Sequence, residues 1–197
     1  MESKIETLQK RITESIAVKQ KLLSDLVMLE RVQGAAERMS QAVMGGNRVF
    51  FAGNGGSAAD AQHLAAEFVS RFEFDRPGLP SQSLSTDTSV ITAISNDYGY
   101  EKLFRRQLQA QARKGDIFVG ITTSGKSKNI LAAFEVCRDL GVYSLALCGL
   151  GGELENCVDC VIRVPSTNTA RIQECHILLG HLMCGYVEDH IFRDIKQ

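Results

Sequence analysis

Apolar residues recur at helical spacing from residue 2 to residue 44: Ile5, Leu8, Ile12 and Ile16, then Leu22, Leu26 and Leu29, then Ala35, Met39 and Val43. No strand pattern interrupts them, and the spacing predicts two helices with a break near Glu30 to Gln33. The first helix has an apolar stripe and no partner helix close in sequence, so its own domain or another subunit must cover it. A subunit contact is the expectation. From Arg48 onward the pattern changes to short apolar runs separated by amphipathic segments. Strands are predicted at Val49–Ala52, Ser81–Leu84, Ile117–Ile121, Tyr143–Leu147 and Cys160–Val164. Helices are predicted near Ser57–Arg71, Val90–Ser95, Tyr100–Ala112, Lys128–Leu140 and Ala170–Asp189. Strands alternating with helices imply right-handed βαβ crossovers and a parallel sheet covered on both faces. The fold class is therefore α/β: a three-layer α-β-α sandwich with a five-stranded sheet. A single domain spans 1–197, with the helical segment 1–45 in front, and ligands are expected at the carboxyl ends of the strands.

Two strand–turn–helix corners carry candidate chemistry. In RVFFAGNGGSAADAQHLAAEFVSR, Gly53-Asn54-Gly55-Gly56 ends a strand, and Ser57 with Asp60 three residues later reads as a capping box. Such a corner offers unpaired N–H groups and the positive end of a helix dipole to an oxyanion. His63 and Glu67, four residues apart, share a face of the ensuing helix, beside the apolar stripe of Ala61, Leu64, Ala65 and Phe68. The second corner, GITTSGKS from Gly120 to Ser127, matches the P-loop pattern formally. Gly120 and Ile121 continue the strand, however, the loop is rich in hydroxyls, and no apolar run ends in a magnesium-binding Asp. What survives is a neutral cradle for a monophosphate, built from Thr122, Thr123, Ser124 and Ser127 at a helix start. Lys126 either adds charge or faces solvent.

The last predicted helix, with RIQECHILLGHLMCGYVEDH, is apolar but studded with polar groups. Gln173, Ile177 and His181 fall along one stripe, so Gln173 and His181 can address one pocket; periodicity leaves His176 open as well. A lone His in such a helix is more often a hydrogen-bonded core residue, whereas two His and a Gln argue for function. His190 reads as surface. Thr86-Asp87-Thr88-Ser89 suits a helix cap, and Asn96-Asp97 reads as a turn at a helix exit.

Composition narrows the picture. A formal charge of −1, with no basic run, gives no support to a nucleic-acid or membrane partner. The N-terminus lacks an apolar core of signal-peptide length and no window approaches a membrane span, so a cytosolic location is expected. Six cysteines without a secretion signal read as reduced thiols. Cys157 and Cys160 spell C-x-x-C, but with no second pair they read as small buried residues at a strand edge.

AGNGGSAADAQHLAAEFVSRF, SNDYGYE, GITTSGKS and RIQECHILLGH, in this order and spacing, closely resemble the phosphoheptose isomerases of the sugar-isomerase (SIS) fold. The resemblance runs through almost the whole chain. It implies an aldose–ketose isomerase that converts D-sedoheptulose 7-phosphate to D-glycero-D-manno-heptose 7-phosphate, the first step toward nucleotide-activated heptose for lipopolysaccharide or surface glycans. By the same resemblance Asn54, Gly55, Gly56 and Ser57 contact the sugar phosphate, Asn96 and Asp97 its hydroxyls, and Thr122, Thr123, Ser124 and Ser127 its phosphate, with Gln173 also at the substrate. Glu67 matches the catalytic carboxylate and His181, rather than His176, the catalytic histidine. Zinc, where the family binds it, is held at the positions of His63, Glu67, Gln173 and His181, and a homotetramer with sites near subunit interfaces is implied. A Glu bound tightly to zinc is a poorer base, so the two roles implied for Glu67 compete. Some relatives carry Asp where this chain has Ala170, so a substrate contact there is lost or replaced. A non-catalytic SIS protein that binds the bacterial replication initiator shares much of these motifs, but lacks the acid and imidazole that Glu67 and His181 supply. An isomerase of another sugar phosphate is the remaining alternative.

Overall fold

The five β-rich runs become the strands β1 Val49–Gly53, β2 Ser81–Ser83, β3 Ile117–Thr122, β4 Tyr143–Cys148 and β5 Cys160–Arg163. In this computed structural model, which describes residues 3–193, they form one parallel sheet in the order β2-β1-β3-β4-β5. Residues 1–2 and 194–197 of the expected 1–197 domain lie outside the described residues. Around the sheet stand α1 Lys4–Ser24, α2 Leu26–Met44, α3 Gly56–Val69, α4 Thr88–Tyr98, α5 Leu103–Gln111, α6 Lys128–Leu140 and α7 Thr169–Phe192, with a short 3-10 helix at Tyr100–Lys102. Successive side chains on a strand point to opposite faces. Phe51, Val119, Ile121, Leu145 and Leu147 accordingly meet α1, α2, α3 and α7, while Phe50, Phe118 and Ala146 meet α5 and α6, with Ile91 and Ile94 of α4 packed beside them. Both faces are thus covered, as the continuous apolar runs of the central strands require. Each fully buried Phe contributes about 1.5–3 kcal/mol to holding the three layers together.

Three local expectations are corrected. The helical break falls at Asp25, with φ −91° and ψ 86°, and Glu30 to Gln33 lie inside α2. Apolar spacing runs unbroken through Leu22, Leu26 and Leu29, so periodicity did not mark the break; cap chemistry does, because the Asp25 carboxylate accepts from Met28 N at 3.0 Å. At α3 the capping box is absent. Gly55, at φ 57°, is the N-cap and makes no side-chain cap bond, whereas Ser57 lies in the first turn with 3% exposure. Asn96 and Asp97 belong to the last turn of α4, which Asp87 caps through Val90 N at 3.0 Å and Gly99 ends at φ 88°. Both are exposed, and Asn96 donates to Asp97 Oδ1 at 2.8 Å.

The described cysteines are all free thiols. Burial pushes Cys137 and Cys184 up to about 12. Cys157 is exposed and Cys160 half-buried, so neither is the fully buried residue expected there.

Candidate active site at the switch point of the sheet

The strand order reverses at β1. The helix after β1, α3, therefore leaves on one face of the sheet and the helix after β3, α6, on the other, which opens a crevice between the carboxyl ends of these two strands. Both sequence corners border that crevice. Gly53 sits where a Cβ would collide with the Ser57 carbonyl, and Gly55 supplies the positive φ that turns the chain into α3. The Asn54 amide pairs reciprocally with Asn129 in the first turn of α6, at 2.9 and 2.8 Å, and its Oδ1 also accepts from the Tyr100 hydroxyl at 2.9 Å. The glycine turn, the α6 N-terminus and the segment after Asn96 and Asp97 are thereby tied together.

In the second corner Thr122 Oγ1 lies 3.0 Å from Ser127 Oγ, and Lys126 N donates to Ser124 Oγ at 3.1 Å while the Lys126 side chain is exposed. Gly120 is a packing residue, for an ideal Cβ there would stand 2.5 Å from Phe134 Cζ. That accounts for the first glycine of the P-loop-like string; the second, Gly125, has a positive φ of 66°. The loop is backed by backbone at Gly149, Gly151 and Gly152, whose carbonyls each accept from the Arg163 guanidinium at 2.9 Å. Glu155 holds that guanidinium from the other side at 2.7 Å. The pairing keeps the Glu155 carboxyl at about 2, far below the usual carboxylate range.

Helices α3 and α7 run side by side in the same direction. Gly56 lies beside Gln173, Leu64 beside Gly180, and the Phe72 N–H just past α3 reaches Glu188 near the end of α7. A Cβ on Gly180 would come within 2.5 Å of Leu64 Cδ2, so close approach of the helices depends on that glycine. The approach brings His63 Nε2 to 2.9 Å from His181 Nε2 and to 3.2 Å from Glu67 Oε1. Phe72 stacks on the His181 ring at 5.4 Å. Burial lowers the His181 pKa and nearby His63 lowers it further, against an opposing pull from Glu67. His181 is therefore neutral at physiological pH and keeps a lone pair for a proton or a metal.

His63, Glu67 and His181 offer ligand atoms that all lie within 4.8 Å of one another. Two imidazole nitrogens and a carboxylate oxygen suit a divalent transition metal, and three protein donors leave a position open for a ligand. The Gln173 amide, also on α7, rests against Gly56, where an ideal Cβ would be 2.6 Å from Nε2. His176 is separated from His181 by burial. It is 0% exposed, and burial drives its pKa to about 4 against the opposing pull of a hydrogen bond with the Cys148 backbone.

Sequence reasoning did not single out Tyr100, although it lies in the SNDYGYE string, nor Asn129 and Arg163, which lie outside every quoted motif. It also missed Arg76 and Glu188, a buried pair whose one signal is a carboxylate seven residues after His181, on the same face of an apolar helix.

Fold and cluster define a doubly wound α/β protein with two imidazoles and a carboxylate brought together between α3 and α7, and a hydroxyl-lined loop at the carboxyl end of β3. Residues 4–149 match the SIS domain family. The chain is 52% identical over 188 residues to the phosphoheptose isomerase of Aneurinibacillus thermoaerophilus, covering 95% of each chain. It is 54% identical over 180 residues to phosphoheptose isomerase 2 of Campylobacter jejuni, covering 91% of this chain and 90% of that one. The solved phosphoheptose isomerase of Neisseria gonorrhoeae superposes with a TM-score of 0.88 at 41% identity, over 95% of this chain and 100% of that one. The chain belongs to the SIS domain family and, within it, to the phosphoheptose isomerases.

Proposed function

We propose that the protein is an aldose–ketose isomerase that converts D-sedoheptulose 7-phosphate to D-glycero-D-manno-heptose 7-phosphate, the first step toward nucleotide-activated heptose. The observation that carries this is the convergence of Glu67, His63 and His181 from α7 and from α3, the helix that the glycine turn leads into. Ketose-to-aldose conversion takes a proton from C1 to form an enediol, returns a proton to C2, and moves protons off O1 and onto O2. A carboxylate and a neutral imidazole next to each other can share those transfers, and Glu67 and His181 are assigned to them. Thr122, Thr123, Ser124 and Ser127, at the start of α6, are assigned the phosphate. The sugar is assigned to the backbone of Asn54, Gly55 and Gly56, to Ser57, and to Asn96, Asp97 and Gln173. Both acceptor sites of the Asn54 Oδ1 are occupied by Asn129 and Tyr100, so Asn54 can offer the sugar only donors, its backbone N–H and the second N–H of its amide.

Zinc is the metal we assign to His63, Glu67, Gln173 and His181. Bound there, zinc would polarise the substrate carbonyl and stabilise enediolate charge. We further assign the apolar stripe of α1 to a homotetramer contact and the protein to the cytoplasm. Exposures of 68% at Ile5, 61% at Leu8 and Ile12, and 49% at Ile16 support the contact. Among the described residues no helix is long and apolar enough to cross a membrane.

The test is direct: purified protein, with and without added Zn²⁺, is incubated with sedoheptulose 7-phosphate and the aldose signal is followed by NMR. Appearance of the aldose is expected, and no turnover in either condition refutes the isomerase.

A further inference from the structure

We infer that the buried Arg76–Glu188 pair is a positioning device that sets α3 against α7, and so sets Glu67 and His63 against His181. The inference rests on the isomerase reading for its kinetic consequence only. Arg76 and Glu188 have side chains 2% and 1% exposed and meet at 2.9 Å. The guanidinium does more than pair. Its Nη2 donates to the backbone carbonyl of Glu67 at 2.7 Å, and its Nη1 to the carbonyls of Phe68 at 2.7 Å, Ser70 at 3.1 Å and Pro77 at 3.1 Å. Those carbonyls include the last of α3, which a helix end leaves without intrahelical partners. From α7, Glu188 accepts the N–H groups of Phe72 at 2.9 Å and Glu73 at 2.7 Å, besides Arg76 Nε. Phe72 is the residue that stacks on His181. One buried ion pair thus holds the end of the helix that carries Glu67, the residue packed on His181, and the helix that carries His181.

Stability alone is a poor explanation for such a pair, since replacement of buried ion pairs by apolar groups is often neutral or stabilising. Fixing register is the better-attested use of one. Two donors on one helix and one on another, within 4.8 Å, need that register: groups holding reactive or ligating side chains in place typically matter by about 10- to 100-fold when removed.

The experiment uses Glu188→Gln, which keeps shape but presents one acceptor oxygen in place of two, and Arg76→Lys, which keeps the charge but not the fork that spans five acceptors. Thermal melts establish that each variant is folded at the assay temperature. In the enzyme we expect kcat for sedoheptulose 7-phosphate to fall at least about 10-fold with KM changed by less than about 3-fold, because the hydrogen bonds of the pair go to residues 67–77 and not to the hydroxyl loop. We also expect the ring resonances of His63 and His181 to move while that of His176 stays. A folded variant with wild-type kcat and unmoved His63 and His181 resonances overturns the inference. If Arg76→Lys does not fold, Glu188→Gln decides alone. If the wild-type enzyme does not turn over the sugar phosphate, the isomerase reading falls and the histidine resonances, which need neither substrate nor metal, still decide the positioning role.

Discussion

At the residue scale, the same side-chain type takes different parts according to what surrounds it. His176 and His181 lie five residues apart on α7, and sequence periodicity did not separate them. One is sealed in the core and the other faces His63 and Glu67. The sealed imidazole has a consequence for stability. Its folded pKa, about 4, lies below the ordinary 6.5, so between these values the unfolded chain binds the extra proton. Stability is full above about pH 6.5 and falls as pH drops toward 4, by up to roughly 3 kcal/mol from this group at 1.36 kcal/mol per unit. Chemical denaturation across that range should show the loss, and His176→Phe, if it folds, should flatten it. For the reaction itself, Glu67→Gln and His181→Gln should each lower kcat by about 10²- to 10⁴-fold with a much smaller effect on KM. Steady-state kinetics reads this directly, and a variant with unchanged kcat removes its residue from the proton transfers.

At the element scale, what was legible in the sequence followed from local physics, and what was not followed from contacts between elements. β1, β3, β4 and β5 were readable because each is a short, largely apolar run, whereas β2, Ser81–Ser83, carries no apolar residue; the α6 boundaries were readable because Ser127 and Gly141 bracket an amphipathic run. The break at Asp25 was not, because the apolar period continues across it. His63 and Glu67 were legible as a pair at i and i+4; their meeting with His181 was supplied by resemblance, since nothing local announces that α3 and α7 lie side by side. Arg76 lay hidden in a turn-rich connection for the same reason. Gly180 is the element-scale device the sequence left unexplained. It lets α7 approach Leu64, so Gly180→Ala should force the buried Leu64 side chain aside, costing about 1–3 kcal/mol in a thermal or urea melt. It should also lower kcat, because the displacement separates His63 from His181. Unchanged stability and activity would mean that the helices tolerate the added methyl by local adjustment.

At the scale of the whole molecule, the distribution of exposed apolar surface points to assembly. Ile5, Leu8, Ile12 and Ile16 stand on the first four turns of α1, while Val18 and Leu22 near its end are buried on the domain. The helix is anchored in its middle by polar contacts to α7. Ser15 donates to Glu174 at 2.6 Å, and Arg171 donates to the Arg11 carbonyl at 2.6 Å and to Glu174 at 2.6 Å. These bonds leave the first four turns of α1 carrying a stripe of large aliphatic side chains into solvent, with Leu178 and Leu182 exposed on α7 as well. A lone helix of this kind gains little by itself, since most helical stability in proteins comes from burying an amphipathic face. A second copy offers such a face, and each aliphatic side chain covered would contribute about 1.5–3 kcal/mol. Leu8→Glu with Ile12→Glu places two carboxylates in the stripe without touching the domain core. If the stripe holds a homotetramer together, light scattering should show the wild type near four chain masses and the variant at a smaller assembly. The domain's own thermal melt should show whether the variant remains folded, and a folded variant that stays tetrameric would remove α1 from the interface.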